Sequence, residues 1–244
     1  MTTPDIRPLI AGNWKMNGTR AALREILIMR RGARNAELAI FPPATLLHEA
    51  AEILEDSEVS LGAQDCHPEP AGPFTGDLSA PMLKDAGCAY VIVGHSERRA
   101  GHWESDAMVK AKAEAAQRAG LTPIVCVGET RAQRASGEAV AVVAAQVRGS
   151  LPPGPAILAY EPIWAIGAGL TPTREEVAEM HGVLRRLCLE IEGPSAARMR
   201  LLYGGSVKPG NARELLSLPD VDGALVGGAS LHALDFLAIA AALD

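Results

Sequence analysis

The sequence predicts an α/β fold, a single closed (β/α)8 barrel with a parallel eight-stranded sheet, formed by residues 1–244 as one domain. Three observations carry that prediction. Eight short aliphatic runs recur along the chain about 31 residues apart, the length of a strand, a helix and two loops. The segments between the runs carry apolar residues at helical period. The 244 residues match the length such a barrel needs, with none spare for a second domain. An open doubly wound sheet is the competing architecture. Against it, the first run leads into Gly12-Asn13-Trp14-Lys15 and not into a glycine-rich dinucleotide turn, so no nicotinamide cofactor is indicated.

Composition narrows the function. Lys plus Arg total 23 and Asp plus Glu 29, a net charge of −6 without a basic stripe, which argues against nucleic acid as a partner. The longest wholly apolar run, Phe236 to Leu243, is too short to span a bilayer, so no membrane is expected. Met1 to Ile10 lacks the layout of a secretory signal, and a cytoplasmic location follows as the expectation. Cys66, Cys88, Cys126 and Cys188 lie far apart, at no zinc-binding spacing, and read as reduced, mostly buried thiols.

Taken in order, the first run starts near Leu9 and delivers Asn13 and Lys15. The second starts near Leu38. The third, near Val59, precedes a long loop from Gln64 to Leu78. The fourth, near Tyr90, ends at Gly94-His95, with Ser96 as the expected cap of a following helix. Ala107, Ala111, Ala115 and Ala119 mark the face of the next helix, which Gly120 ends and the Glu114/Arg118 pair supports. The fifth run, near Ile124, leads to Gly128-Glu129, and the sixth, near Ile157, to Glu161. Beyond it, Thr173 and Glu176 form a capping box, Val177, Met180, Leu184, Leu187, Cys188 and Ile191 fall on one helix face, and Gly193-Pro194 stops the helix. The seventh run, near Leu201, ends in Gly204-Gly205-Ser206, and the eighth, near Ala224, in Gly227-Gly228.

Active sites of such barrels lie where strands pass into loops, so these strand ends are the candidates. Glu161 follows the apolar stretch Ala156 to Tyr160, where desolvation would raise its pKa toward that of a useful general base; the alternative is a salt-bridged rim carboxylate. His95, near a positive helix start, is expected to donate as a neutral imidazole; otherwise it is a structural hydrogen-bonder. Lys15 needs an anion nearby, either a substrate phosphate or Glu97. The paired glycines after the seventh and eighth strands either cradle a phosphate, aided by the positive ends of the following helices, or turn tight corners. Pro162, Ile163, Trp164, Ala165, Ile166, Gly167, Ala168 and Gly169 make an apolar, glycine-flanked segment, read as a lid over the substrate or as a fixed loop.

Four motifs resemble signatures of the triosephosphate isomerase family, in the family's order and along essentially the full chain. They are Ala11-Gly12-Asn13-Trp14-Lys15-Met16-Asn17, Val93-Gly94-His95-Ser96-Glu97-Arg98-Arg99, Ala159 to Gly167, and Tyr203-Gly204-Gly205-Ser206. The resemblance implies a TIM barrel that interconverts dihydroxyacetone phosphate and D-glyceraldehyde 3-phosphate through an enediol(ate), without cofactor or metal, in glycolysis and gluconeogenesis. It implies Glu161 as the base, His95 as the electrophile, and Lys15 and Asn13 as electrostatic stabilisers. It further implies backbone N–H groups of Gly167, Ser206, Gly227 and Gly228 on the phosphate, and Tyr203 and Ser206 as the lid latch. By the same resemblance, the loop Gln64 to Leu78 reaches into a second subunit and places Thr75 near Asn13 and His95 of the partner subunit, which makes the protein a homodimer. Asp77 stands where the family often has Glu, Ala168 where it often has Thr, and Leu170 where it often has Lys. Alternatives are an isomerase of a four-carbon ketose phosphate such as erythrulose phosphate, a catalytically silent barrel, and a Schiff-base aldolase using Lys15.

Overall fold

The computed structural model describes residues 6–166 and 171–243. Its elements alternate as expected. In chain order they are β1 (Leu9–Asn13), α1 (Leu23–Met29), β2 (Glu37–Phe41), α2 (Leu47–Leu54), β3 (Val59–Ala63), α3 (Ala80–Asp85), β4 (Tyr90–Val93), α4 (Ser96–Gly101) and α5 (Asp106–Arg118). Then follow β5 (Thr122–Val127), α6 (Arg131–Ala135), α7 (Ala139–Ser150), β6 (Ile157–Tyr160), α8 (Arg174–Glu192), β7 (Leu201–Tyr203), α9 (Ala212–Leu216), β8 (Gly223–Val226) and α10 (Ala233–Ala241). Each strand pairs in parallel with the next, and β1 pairs with β8, Leu9 opposite Gly223, so the sheet closes.

Strand side chains alternate between two cores, as a period of two requires. Leu9, Ala11, Phe41, Ile92, Ile124, Ala159, Leu202 and Leu225 fill the barrel interior. Ile10, Ile40, Val93, Leu158, Tyr160, Leu201 and Val226 face outward and pack under the helices. Most strands are therefore apolar on both faces, β3 excepted with Ser60 and Gly62 inward, which is why they read as continuous runs.

Helix boundaries follow local chemistry. Thr173 and Glu176 form the capping box of α8, Glu176 N–H donating to Thr173 Oγ1 at 3.2 Å and Thr173 N–H to Glu176 Oε2 at 2.8 Å. Gly193 ends the helix with φ 69°. Two local expectations do not hold in full. In α5 the buried residues are Val109, Lys112, Ala113, Ala115 and Ala116, so of the expected face Ala115 is buried and Ala119 packs against the core, while Ala107 is exposed; Lys112 turns inward to meet Asp65 and Glu104 at 2.8 and 2.6 Å. Arg118 donates to the Pro68 carbonyl at 3.2 Å, a contact the Glu114/Arg118 reading did not foresee. In α4 the residue before the helix is His95, not Ser96.

Candidate active site

Parity along the strands aims the key side chains. In β1, Leu9 and Ala11 point inward, so Asn13 does too; in β6, Ile157 and Ala159 do, so Glu161 is next in line. Asn13, Lys15, His95 and Glu161 consequently line one cavity of about 570 Å3 at the carboxyl end of the strands. Gly205, Ser206, Gly227 and Gly228 form another part of its wall. Thus the structure brings the base, electrophile and cation candidates together with the described phosphate candidates.

Glu161 is the most constrained of them. It is 1% exposed, and its Oε1 lies 2.8 Å from His95 Nε2 while its Oε2 accepts the Ser96 N–H at 2.9 Å. Burial alone would raise its pKa, but the hydrogen bonds from His95 and the Ser96 N–H, with the Lys15 charge, hold it below the ordinary value. The sequence expectation of a raised pKa is corrected here: the desolvation is present, and bonds to the charged form outweigh it. Gly204 makes the room, since a Cβ there would sit 2.9 Å from Glu161 Cγ and 3.1 Å from the Tyr160 carbonyl oxygen.

The ring of His95 is held at both nitrogens. Its Nδ1 accepts the Glu97 N–H at 3.2 Å, at the first turn of α4. An Nδ1 that accepts carries no proton, so the neutral ring bears its proton on Nε2, the atom facing Glu161 and the cavity. Lys15 adopts φ 53°, its N–H donates to Asn13 Oδ1 at 2.9 Å, and its ammonium pairs with Glu97 Oε1 at 2.6 Å. Of the two partners named for Lys15 in sequence, the structure shows Glu97, beside it on the cavity wall.

Glu129, a candidate as a strand-end carboxylate, does not line this cavity. It is fully buried beneath the root of the expected lid, where its Oε1 accepts the Trp164 indole N–H at 2.8 Å and the Tyr160 hydroxyl at 3.1 Å. Arg134 from α6 lies 3.0 Å from the same oxygen, with its guanidinium 5.5 Å from the centre of the Trp164 ring. The described part of the lid, Pro162, Ile163, Trp164, Ala165 and Ile166, forms a short 3-10 turn at Ile163–Ala165, and Ile166 lines the cavity. Gly167, Ala168, Gly169 and Leu170 lie outside the described residues, so the phosphate role of Gly167 does as well. Tyr203 is buried, and among the described residues its hydroxyl has no hydrogen-bond partner.

The glycine pairs differ from each other. After β8, a 3-10 turn begins at Gly228, at the cavity wall. After β7, the next helix starts only at Ala212, so its end does not follow the Gly204-Gly205 pair directly as expected. Sequence reasoning also missed the Ser96 N–H as a partner of Glu161 and the amide of Gln64, which donates to the Lys15 carbonyl at 2.8 Å. One is a backbone group, and the other, although Gln64 follows β3 directly, bonds backbone carbonyls at or after the ends of other strands, so side-chain chemistry at strand ends signals neither.

Comparison with known proteins identifies the family. The family model described as triosephosphate isomerase matches residues 8–243. A triosephosphate isomerase of Chelativorans sp. is 56% identical over 99% of this chain and 98% of its own length. That of Afipia carboxidovorans is 56% identical over 97% and 98%. The crystal structure of triosephosphate isomerase from Bartonella henselae superposes with a TM-score of 0.92 at 50% identity, covering 97% of this chain and 99% of that one. Sequence and backbone agree along nearly the whole length, and the chain belongs to the triosephosphate isomerase family.

Proposed function

We propose that Glu161, His95, Lys15 and Asn13 carry out the triose phosphate isomerisation that family membership assigns to this chain. Glu161 takes a proton from the carbon beside the carbonyl of dihydroxyacetone phosphate and returns it to the neighbouring carbon, giving D-glyceraldehyde 3-phosphate. His95 Nε2–H donates to the oxygen on which negative charge develops, and Lys15 and Asn13 add their positive charge and amide dipole. The observation that carries this reading is the 2.8 Å contact of His95 Nε2 with Glu161, made while Nδ1 is occupied as an acceptor. When substrate oxygen takes the Nε2–H, Glu161 loses one of the bonds that depress its pKa. The base becomes stronger as substrate arrives.

The phosphate is assigned to backbone N–H groups of Ser206, Gly227 and Gly228, with Gly167 added from the lid. Tyr203 and Ser206 act as its latch. Excluding water matters because an exposed enediolate can expel phosphate. We further infer that the chain acts as one domain, as a homodimer in the cytoplasm. Support for the dimer comes from the loop Gln64 to Leu78: Thr75 is exposed, Phe74 stacks on His67 with ring centres 4.0 Å apart, and Phe74, Leu78, Met82 and Met108 leave apolar side chains exposed around it. Among the described residues, no helix is long and apolar enough to cross a membrane.

The test is kcat/KM on glyceraldehyde 3-phosphate and on erythrulose phosphates, with Glu161→Gln as control. The triose should be strongly preferred, and the variant should lose about 100- to 10,000-fold in kcat. Preference for the four-carbon substrate would overturn the substrate assignment, and a variant within tenfold of the parent would overturn the base.

A further inference from the structure

We propose that Gln64 is a positioning residue for catalysis, fixing the peptide of Lys15 so that its ammonium meets the substrate. The inference rests on the reading of Lys15 given above and adds a residue to it. Gln64 follows directly on β3 and lines a separate cavity of about 450 Å3, so it acts on the reaction through Lys15.

The geometry leaves its side chain one role. Gln64 Nε2 lies 2.8 Å from the Lys15 carbonyl oxygen and 2.8 Å from that of Phe41. Both partners are acceptors only, so the NH2 end of the amide must face them, and its two hydrogens are both engaged. Phe41 closes β2, opposite Asn13 in the sheet, and its carbonyl also accepts the Trp14 N–H at 3.1 Å. Lys15 is thereby tied at both ends of its residue, the N–H by Asn13 Oδ1 at 2.9 Å and the carbonyl by Gln64.

That hold matters because Lys15 has φ 53°, a left-handed conformation that an L-residue keeps only when its surroundings impose it. Without the amide, the peptide is free to turn toward the extended region, and rotation about φ swings the Cα–Cβ bond and the whole ammonium arm. A glutamate at 64 could not substitute when ionised, since it would set a carboxylate against two carbonyl oxygens.

A double-mutant cycle separates positioning from general stabilisation. Gln64→Met should lower kcat/KM for glyceraldehyde 3-phosphate about 10- to 100-fold, the cost of a misplaced catalytic group. In the Lys15→Met background the same change should cost no more than about twofold, because the group it positions is gone. An equal loss in both backgrounds overturns the proposal, as does a fully active Gln64→Met beside an impaired Lys15→Met. If Lys15→Met itself is fully active, the reading of Lys15 fails first. Should Gln64→Met not fold, Gln64→Glu serves across pH. A protonated carboxyl donates one hydrogen bond and a carboxylate none, so its deficit against the parent should shrink as pH falls, and a constant ratio overturns the proposal.

Discussion

Glu161 shows how much of this site depends on space as well as charge. Room for its side chain depends on Gly204, where a Cβ would press on Glu161 Cγ and the Tyr160 carbonyl. Gly204→Ala should therefore displace the base and lower kcat by about 100-fold with little change in thermal midpoint; wild-type turnover in that variant would show that the strand can shift to absorb a methyl. The cysteines are governed by the same burial. Cys66 and Cys88 are pushed up to about 12 and Cys188 to about 11, each chiefly by burial, while burial and the Glu161 charge hold Cys126 well above its ordinary value. All four are free and buried. Iodoacetamide at neutral pH should label none in the folded protein and all four after unfolding, as mass spectrometry would read; rapid labelling of any one in the native state contradicts its burial. At this scale the sequence was informative at some of the positions at or just after the ends of buried strands, though not at Gln64 or Glu129. Asn13, His95 and Glu161 were legible there. The shift of Glu161 was not, because its direction depends on the Ser96 N–H and the His95 ring arriving from a loop after another strand.

Elements were legible when their signals were local. The ends of α8 lie in consecutive residues, Thr173 to Glu176 and Gly193, and the structure keeps both. The face of α5 was legible only in part: Ala115 is buried as expected, but Lys112 counts as polar in sequence, and only Asp65 and Glu104, supplied by other segments, make its burial tolerable. Similarly, the start of α4 turns on a single residue, His95 at ψ 142°, a distinction finer than cap preferences resolve. His181 of α8 carries a consequence for pH. It is fully buried, its Nδ1 lies 2.8 Å from the Asp220 carbonyl oxygen, and Tyr160, Tyr203, Asp220, Asp222 and Arg185 surround it. Burial lowers its pKa from 6.5 to about 4, against the opposing pull of the Asp220 carbonyl and the nearby carboxylates. Between those values the unfolded chain binds more protons than the folded one, so this residue makes stability fall as pH drops from about 6.5 toward 4. The slope reaches at most about 1.4 kcal/mol per pH unit. Urea titrations of His181→Asn should show a shallower decline over that window, whatever the variant costs at neutral pH; an identical decline would exclude His181 as its source.

The whole barrel was the most legible level, since a rhythm of eight runs needs no single residue to be right. Its assembly was less so, because an interface is written in shape as well as composition. If the loop Gln64 to Leu78 docks on a second subunit as proposed, a bulky charge at its exposed tip should be excluded. Thr75→Arg is expected to shift sedimentation from dimer toward monomer at micromolar concentration and to reduce activity in parallel. An unchanged profile would remove that loop from the interface.

The pairing of Leu9 with Gly223 also sets an order on synthesis. The first strand leaves the ribosome early yet lacks one neighbour until almost the entire chain has been made. Through that interval the nascent sheet has two open edges, each offering unpaired backbone groups to any passing strand. Only translation of β8 removes both at once, so a message truncated before residue 223 should yield an aggregating product instead of a smaller barrel.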